Sequence, residues 1–471
     1  MFSKLLNARI IEFSTSIFNF SMDNPFYHRG AIREPERFFG RESETTQILG
    51  LLRNGQSVSL TGPRRIGKSS LLFNLCQDSV RVSHQLDTPN ALFILIDCQM
   101  IGGAPAEEVY EVLLDEIGMA IENAGIKVDI KTSAGTWRAL DRMLGAVSRS
   151  GVPIVILLDE FELLAANENL TPYFFTRLRG LTTRYGIAFV TASQRPLFSI
   201  TASEEILSSP FFNIFVSLSL GLFDYSDAEH LLEDRLANTG VRFSDSLSEH
   251  LIYLVGPHPF FLHIAGYHAW QMLVENKKDG DGKDEQSKDR AEDFERLDRA
   301  VEREADSHLG YVWQNLKPDE QYALVVGEGA SDVIRSLDQQ CLIRDKRDGT
   351  SSLRLTFSND ILRRYVRHQT VEHVIQADPF VIDLNRHRVT VKGRELTLTI
   401  SQFDLLSRLA STPGQVVDAD NLEQAVWGEA LLDDPDRLKT LIKRLRKAIE
   451  PWQGWIMSER GVGYVLREPT D

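Results

Sequence analysis

The stretch that most constrains the fold of this chain runs from Gly62 to Ser69 and reads Gly-Pro-Arg-Arg-Ile-Gly-Lys-Ser. It follows segment 57–61, which is typical of a strand, and opens the apolar segment 70–75, which is typical of a helix. The G-x-x-x-x-G-K-[ST] spacing in that setting predicts a phosphate-binding loop, because its glycines let backbone N–H groups face a phosphate chain. The helix adds its positive end, Lys68 reaches the β- and γ-phosphate oxygens, and Ser69 holds Mg²⁺.

A continuous apolar run, residues 152–158, leads directly into Asp159 and Glu160. Such a run predicts a strand that is buried on both faces of a parallel sheet covered by helices. Its end would deliver Asp159 to the Mg²⁺ shell and let Glu160 polarise an attacking water, as in a Walker B element. The alternative is a buried strand that ends in two solvated acids, and the phosphate loop favours the catalytic interpretation.

Residues 187–191 predict a further strand, which is followed by Ser193, Gln194 and Arg195. A polar residue at this position can read the γ-phosphate, and Arg195 can stabilise the charge that develops on it. An exposed loop arginine is an equally good interpretation. The alternation of strands and helices predicts an α/β P-loop NTPase domain, a three-layer parallel sheet that binds its ligand at the carboxyl ends of the strands.

The composition limits the other functions of the chain. Its 471 residues are enough for about three domains, and a net charge of −15 confines any DNA-binding surface to a local patch. Cys76, Cys98 and Cys341 form no C-x-x-C pair, which argues against a disulfide framework or a zinc site and suits a reducing cytosol. Polar residues interrupt the apolar segment 10–20, which is too short to span a bilayer, so we expect a cytoplasmic protein without a membrane partner.

Five short motifs occur along the chain in the order Gly40-Arg41-Glu42, residues 62–69, Asp159-Glu160, Ser193-Gln194-Arg195 and Gly256-x-x-Pro259. The segment 22–370 that carries them resembles the STAND ATPases, in particular the archaeal-type branch related to the Orc1/Cdc6 initiator group of AAA+ proteins. The resemblance implies that the first motif lines the adenine side and that the last brings a helical lid to the nucleotide. The identity of the bound nucleotide, ATP or ADP, would then switch the conformation of the protein.

The resemblance and the motifs together give the expected site residues. Nucleotide contacts are expected from Gly40, Arg41, Glu42, Gly62, Pro63, Arg64, Arg65, Ile66, Gly67, Lys68, Ser69, Ser70 and Pro259. Catalytic roles are expected for Lys68, Glu160 and Arg195, and Mg²⁺ ligands are expected from Ser69 and Asp159. The expected cofactors are therefore ATP and Mg²⁺.

The segment 376–468 predicts short alternating strands, then helices, then a hairpin that contains glycines. Its third helix begins after Asp434-Pro435 and carries an apolar stripe of Leu438, Leu441, Ile442, Leu445 and Ile449. The rest of that helix carries Arg437, Lys439, Lys443, Arg444, Arg446 and Lys447. A helix with one buried stripe and an otherwise cationic surface suits the DNA major groove, although a solvated basic face is the common alternative.

The same segment resembles the OmpR/PhoB-type winged-helix domain of response regulators, through residues 443–447 and 460–464. The resemblance implies contacts with double-stranded DNA from Arg437, Leu441, Lys443, Arg444 and Arg446, and wing contacts from Ser458 and Arg460. Leu441 departs from that family because it replaces a polar contact residue. The acids Asp433, Asp434, Asp436 and Glu459 lie close to the expected phosphates, so we expect a modest affinity.

Between these modules, residues 307–370 predict a small winged helix whose hairpin turns at Asp348-Gly349. Its second helix carries little basic charge, which favours an intramolecular clamp over a DNA contact. The predicted division of the chain is an N-terminal extension 1–36, a P-loop NTPase domain 37–205, a helical lid 206–274, a linker with a solvated helix 275–306, the first winged helix 307–370 and the DNA-binding domain 376–471.

The interpretation that we favour is a nucleotide-switched DNA-binding transcriptional regulator. The alternatives are a DNA-remodelling or loading ATPase of the initiator or transposition-helper kind, and a defence-type STAND switch that oligomerises on sensing a trigger. Hydrolysis should be slow, with Arg177, Arg179 and Arg184 as arginine-finger candidates if protomers pack head to tail. A homo-oligomer is a possible state of the ATP-bound form.

Overall fold

The computed structural model describes residues 24–26, 30–84, 91–127, 135–200, 206, 209–278, 291–344, 355–428 and 436–469. The chain divides into two compact units between Glu304 and Ala305. The predicted turn at Asp348-Gly349 and the acids Asp433 and Asp434 lie outside the described residues. Across the described ranges, no helix combines the length and the apolar character that a bilayer crossing requires.

A parallel sheet organises the first unit. Among the described residues, five strands pair in the order β2-β3-β4-β1-β5. They are β1 (Ser57–Thr61), β2 (Leu92–Asp97), β3 (Ile154–Asp159), β4 (Ala188–Ser193) and β5 (Phe215–Ser219). All residues of β3 are buried, as expected for a strand with helices on both faces. The α/β fold predicted from the sequence is confirmed.

Amphipathic helices cover this sheet. In α4, Val109, Leu113 and Ile117 are buried because residues four apart lie on one face of a helix. The helices are α1 (Glu42–Arg53), α2 (Lys68–Leu75), α3 (Asp78–Ser83), α4 (Ala106–Asn123), α5 (Trp137–Arg149), α6 (Phe161–Ala165) and α7 (Pro172–Tyr185).

The described residues of the first unit that follow β5 are mainly helical, and β5 itself lies within the segment 206–274 that the sequence assigned to the lid. These helices are α8 (Tyr225–Leu236), α9 (Asp245–Val255) and α10 (Pro259–Lys278), and α11 (Ala291–Asn315) has residues in both units. Gly256 ends α9 with φ 63°, and Pro259 opens α10, so the predicted corner forms. Within the first unit, α11 is fastened to α9 because His250 Nε2 lies 2.7 Å from Asp298 Oδ1.

Residues 24–26 pack against the lid, although the sequence analysis assigned them to an extension. Phe26 is 1% exposed and stacks on Phe243 with ring centroids 5.7 Å apart. Asn24 Nδ2 donates a hydrogen bond to Tyr267 O at 3.0 Å. A Cβ at Gly266 would lie 2.5 Å from the Phe26 ring, so a glycine is required where the ring crosses α10.

The second unit begins with a small helical module. It contains α12 (Pro318–Val326), α13 (Ser331–Gln339) and α14 (Asp360–Arg367), with the short strands β6 (Ile343–Arg344) and β7 (Thr356–Phe357). The two strands pair antiparallel, Ile343 opposite Phe357. This order of helices and paired strands is the one expected for the first winged helix.

The C-terminal domain has two antiparallel sheets around three helices, counted over the described residues. The first sheet has the order β11-β10-β9-β8 and the second the order β12-β14-β13. The strands are β8 (Val374–Ala377), β9 (Phe380–Asp383), β10 (Arg388–Val391), β11 (Arg394–Leu396), β12 (Val417–Asp418), β13 (Ile456–Glu459) and β14 (Gly463–Leu466). The helices are α15 (Ile400–Ala410), α16 (Ala419–Trp427) and α17 (Arg437–Ala448). The predicted winged-helix architecture is confirmed.

Candidate functional site

The phosphate loop joins β1 to α2 and closes on neighbouring backbone. Gly62 N donates a hydrogen bond to Ser193 O, at the end of β4, over 3.2 Å. A Cβ at position 62 would lie 2.5 Å from Leu220 O, so only glycine allows these backbones to approach. Gly67 directly precedes α2 with φ 105°, a left-handed conformation that favours glycine. Gly62 therefore allows the close contact with Leu220, and Gly67 allows the left-handed turn before α2.

Lys68 is the first residue of α2 and is 6% exposed. Its Nζ donates hydrogen bonds to Gly62 O at 2.8 Å and to Pro63 O at 3.0 Å. Burial lowers the pKa of this ammonium group, and the neighbouring carboxylates, Glu160 foremost, oppose that shift. A buried cation at a helix N-terminus is well placed to bind a phosphate oxygen.

Acidic side chains gather where β3 ends. Asp159 is 9% exposed and accepts a hydrogen bond from Glu160 N at 3.0 Å. Burial raises the pKa of Asp159, and the nearby Ser69 hydroxyl opposes that shift. Glu160 has φ 48°, which is uncommon for a residue other than glycine, and it lines the space beside the loop. The two residues expected to hold Mg²⁺ are therefore neighbours in the folded chain.

A cleft of about 290 Å³ lies beside the phosphate loop. Its walls come from the loop, from residues 30–41 and from the lid. The predicted site residues that line it are Arg41, Arg64, Arg65, Ile66, Gly67, Lys68, Ser69, Ser70, Glu160 and Pro259. Its volume is close to the lower end, about 300 Å³, of the range for small-molecule sites.

Other predicted residues lie outside the lining of this cleft, among the described residues. They are Gly40, Glu42, Gly62, Pro63, Asp159 and Arg195. Gly62 and Pro63 act through their carbonyl groups, which hold Lys68. Gly40 has φ 70°, and a Cβ there would lie 3.0 Å from the Phe223 ring, so it serves the packing of the cleft wall. Glu42 is exposed at the start of α1 and does not reach the cleft.

Sequence reasoning missed the aromatic part of the cleft. Phe38, Phe39, Phe223 and Phe260 line it, and their flat apolar faces suit contact with a heterocyclic base. The Phe38-Phe39 pair directly before the Gly-Arg-Glu motif was a local signal of this wall. The other two aromatic rings come from distant segments, and no local pattern marks them. Arg235 and His263 from the lid also line the cleft.

Arg41 connects three parts of the cleft. It is 5% exposed, and its guanidinium donates to Gly221 O at 2.6 Å and to Ile66 O at 3.4 Å. The same group lies over the Phe223 ring, 4.5 Å from its centroid, and pairs with Glu44 at 2.9 Å. Arg41 therefore holds the phosphate loop to the segment that leads into the lid.

Glu162 is a positioning residue that the sequence analysis did not single out. Its Oε1 accepts a hydrogen bond from Gln194 N at 3.2 Å, which ties the turn after β3 to the end of β4. Burial raises the pKa of this carboxyl group. Its distance along the chain from Gln194 explains why no sequence motif revealed the contact.

The structure corrects the role expected for Arg195. The residue is exposed and does not line the cleft, as the alternative interpretation of a loop arginine requires. Ser193 is buried instead, and its Oγ donates to Arg195 O at 2.8 Å. This hydrogen bond spans the bend that follows β4.

The arginine-finger candidates have partners within the first unit. Arg177 lies over the Tyr173 ring at 4.2 Å, and Arg179 donates to a backbone carbonyl at 3.2 Å. Arg184 pairs with Asp141 at 3.1 Å. A finger role for any of these side chains would first require that an intramolecular contact be broken.

The residues present fit a nucleotide with Mg²⁺. Ser69 and Asp159 offer a hydroxyl and a carboxylate, which are hard oxygen ligands of the kind that Mg²⁺ takes. The close approach at Gly62 leaves no space for a side chain between the loop and the sheet. Lys68 adds the positive charge that a triphosphate needs.

The second candidate site is the cationic face of α17. Lys443 and Arg444 are exposed, and so are Ser458 and Arg460 in the wing. Leu441 is 8% exposed and packs in the domain core, which corrects the expectation that it contacts DNA. A side chain in that apolar stripe cannot reach a base edge without unpacking the core.

Two predicted DNA contacts have structural partners. Arg446 donates from Nε to Ile456 O at 3.0 Å and from Nη2 to Ser458 Oγ at 3.0 Å, so it braces α17 against the wing. The guanidinium of Arg437 lies over the Trp427 ring, 3.6 Å from its centroid. These arginines position the helix, and the exposed cations remain as the groups available to DNA.

The acids expected near the phosphates are paired where the structure describes them. Asp436 lies 3.0 Å from Lys439 Nζ, and Glu459 lies 3.3 Å from Arg467. Each acid therefore has a cation beside it, although both pairs are on the surface, where such pairs contribute little energy.

Comparisons with known proteins find similarity in two separate parts of the chain. The profile of the family described as Novel STAND NTPase 2 matches residues 46–330, and that of Transcriptional regulatory protein, C terminal, matches residues 393–466. Response regulator ArlR of Staphylococcus aureus is 33% identical over 108 residues, which are 22% of this chain and 49% of that protein. The chain thus spans about half the length of the curated relatives it matches.

Solved structures are also similar to these two parts of the chain. The Walker-type ATPase PABY2304 of Pyrococcus abyssi resembles 73% of this chain and 99% of its own, with 15% identity and a TM-score of 0.53, a likeness of fold. The DNA-binding domain of CpxR from E. coli is 29% identical, covers 21% of this chain and 98% of its own, and gives a TM-score of 0.20.

The fold and the two sites define a P-loop NTPase joined to an OmpR/PhoB-type winged-helix DNA-binding domain. The chain belongs to the Novel STAND NTPase 2 family, whose profile covers more than half of it.

Gly62→Ala should lower nucleotide affinity by at least about tenfold, because its Cβ would collide with Leu220 O and displace the loop. Titration of a fluorescent ATP analogue measures this. Gly118→Ala is the matched control, because a Cβ within α4 meets nothing within 4 Å. Unchanged affinity in Gly62→Ala would show that the loop does not hold the nucleotide.

Lys443→Ala should change the salt dependence of DNA binding, whereas Arg446→Ala should change the stability of the C-terminal domain. About four phosphate contacts give a log–log salt slope near −3.6, and removal of exposed Lys443 should reduce its magnitude by about 0.9. Arg446→Ala should instead lower the stability of the C-terminal domain by about 1–2 kcal/mol, since it deletes hydrogen bonds to the wing. Salt-dependent DNA titration and thermal melting distinguish the two. An Arg446→Ala protein with native stability would overturn the bracing role.

Proposed function

We propose that this protein is a transcriptional regulator whose DNA binding is controlled by ATP, held with Mg²⁺ in the phosphate-loop cleft. One observation carries the proposal: Pro259 and Phe260 of the lid line the same cleft as Lys68 and Ser69. A nucleotide bound there contacts the ATPase core and the lid together. Nucleotides that differ in the γ-phosphate can therefore stabilise different lid positions.

A contact between the loop and the lid supports a switch. The guanidinium of Arg65 lies over the Phe260 ring, 5.1 Å from its centroid, and Arg65 has φ 66°. A phosphate group near the loop attracts the same cation. Competition between the ring and the phosphate would make the lid contact depend on which nucleotide is bound.

Each group of the site has a proposed part in binding and turnover. Lys68 and the first N–H groups of α2 bind the β- and γ-phosphate oxygens. Ser69 and Asp159 would hold Mg²⁺, which neutralises charge on the phosphates. Glu160 accepts a proton from the attacking water. We propose slow turnover, because Arg177, Arg179 and Arg184 are engaged elsewhere and Arg195 lies outside the cleft.

The output of the switch is proposed to be double-stranded DNA. Lys443, Arg444 and the wing residue Arg460 are exposed cations on a winged helix of the transcriptional-regulator family. Phosphate contacts would supply affinity, and base contacts from α17 would supply sequence preference. An ATP-dependent homo-oligomer is part of the same proposal, and a cytoplasmic location follows from it.

Lys68→Ala should abolish nucleotide binding, whereas Glu160→Gln should retain ATP and stall its hydrolysis. The first removes a buried cation from the phosphate site, and the second removes only the proton acceptor. Retention of radiolabelled ATP and release of phosphate measure the two effects. An unaltered hydrolysis rate in Glu160→Gln would reject this residue as the base.

Selection of binding sites from random DNA, with ATP, ADP or no nucleotide, tests the function itself. We expect one recovered motif whose enrichment depends on the nucleotide, and loss of that dependence in Lys68→Ala. Coating of any duplex without a motif, with hydrolysis stimulated by DNA, would instead support a loading ATPase. A motif recovered equally well in all three conditions would refute the switch.

A further inference from the structure

Within the second unit, a buried carboxylate joins the first winged helix to the C-terminal domain, which the sequence predicts as two separate modules. Asp383 ends β9 in the C-terminal domain and is 2% exposed. Its Oδ1 accepts hydrogen bonds from Asn385 N and Arg386 N, each at 3.0 Å. Its Oδ2 accepts a hydrogen bond from the Tyr322 hydroxyl, which belongs to α12 of the first winged helix. A buried carboxylate is costly unless its oxygens are hydrogen-bonded, so Tyr322 completes the site of Asp383.

A charged cluster surrounds this hydrogen bond. Glu328 follows α12, and its Oε1 lies 3.2 Å from Arg386 Nη1 and also accepts a hydrogen bond from Arg388 on β10. The guanidinium of Arg386 lies over the Tyr322 ring, 5.3 Å from its centroid. Arg388 is 25% exposed and Glu328 is 35% exposed, so the cluster is partly shielded from water. One acid from the first winged helix thus meets two cations of the C-terminal domain, one in the connection between β9 and β10 and one on β10.

The edge strand β8 of the same sheet is held as well. Gln376, on β8, donates from Nε2 to Gln369 O at 2.7 Å and to Val366 O at 3.3 Å, at the end of α14. The first winged helix therefore contacts the sheet from two of its helices, with α12 bonded to β9 and α14 bonded to β8. Two separate attachments restrain rotation in a way that one contact cannot.

We infer that the first winged helix is the docking partner of the C-terminal four-stranded sheet, and that Tyr322 and Glu328 with Asp383, Arg386 and Arg388 form the built contact between them. The partner of this surface is therefore a neighbouring domain of the same chain, and DNA is not its ligand. The contact holds the DNA-binding domain to the module that precedes it, so the two move together. Its existence does not depend on the proposed nucleotide switch.

Glu328→Arg tests the contact in the full-length protein, because it places a third cation against Arg386 and Arg388. Hydrogen exchange by mass spectrometry should show at least about fivefold faster exchange in peptides from β9 and β10, across the interface from the mutation. Tyr322→Phe should act in the same direction, because it leaves Asp383 Oδ2 without its donor. Glu328→Asp, which keeps the carboxylate, should stay near wild type.

Asp332→Arg is the matched control, since it makes the same charge change at an exposed position on α13 of the same module. Its exchange in β9 and β10 should equal that of the wild type. Exchange in those strands that stays within about twofold of wild type in both Glu328→Arg and Tyr322→Phe would overturn the inference. An equal increase in Asp332→Arg would also overturn it, because the effect would then reflect charge alone.

A DNA titration of the same variants separates this inference from the proposed function. If nucleotide controls DNA binding, Glu328→Arg should reduce the ratio of affinities with ATP and ADP while nucleotide affinity is kept. If the wild type shows no such ratio, the proposed switch fails. The exchange experiment still decides whether the docking contact exists.

Discussion

The close approach of backbones at Gly62 is the constraint on which the rest of the nucleotide site depends. β1 and β4 are paired parallel, so their carboxyl ends meet, and the loop leaves β1 within hydrogen-bond distance of Ser193. No side chain fits between Gly62 and Leu220. This close backbone contact fixes where α2 begins, and it therefore fixes the positions of Lys68 and Ser69 relative to Asp159. The acids at the end of β3 can meet the loop only because β3 and β4 are neighbours in the sheet.

The two candidate sites present positive charge locally in a chain that is acidic overall. The ammonium group of Lys68 is buried among carboxylates, and this arrangement suits a site that receives a polyanion with its metal. In the C-terminal domain, Arg437 and Arg446 hold α17 in place, which leaves Lys443 and Arg444 exposed. A net charge of −15 does not prevent DNA binding when the cations are presented locally in this way.

The parts of the structure that the sequence predicts are those whose information is local. The strand, loop and helix around residues 57–75 are contiguous, and so is the apolar run that ends at Asp159, so both could be recognised directly. The aromatic wall could not, because Phe223 and Phe260 lie far along the chain from Phe38 and meet it only in the folded lid. The apolar periodicity of α17 predicted Leu441 in the core, whereas the family resemblance predicted that it contacts DNA. The burial of Leu441 agrees with the prediction from periodicity.

Side-chain partners were the least predictable feature. Arg446 is basic and was expected to contact DNA from the resemblance to response regulators, yet its hydrogen bonds go to the wing. Asp383 shows no motif at all, and its importance appears only when Tyr322 is brought to it by the fold. Such contacts depend on the packing of separate elements, which a single sequence specifies only through its whole fold.

The most direct test of this account is the affinity of the full-length protein for ATP and for ADP, measured with and without the duplex that it selects. Binding free energies are reciprocal, so a nucleotide that changes DNA affinity must have its own affinity changed by DNA to the same factor. We predict that the selected duplex shifts the ratio of ATP to ADP affinity by at least about fivefold, whereas a scrambled duplex of equal length does not. An ATP-to-ADP ratio that is identical with and without the selected duplex would contradict the coupling of the two sites.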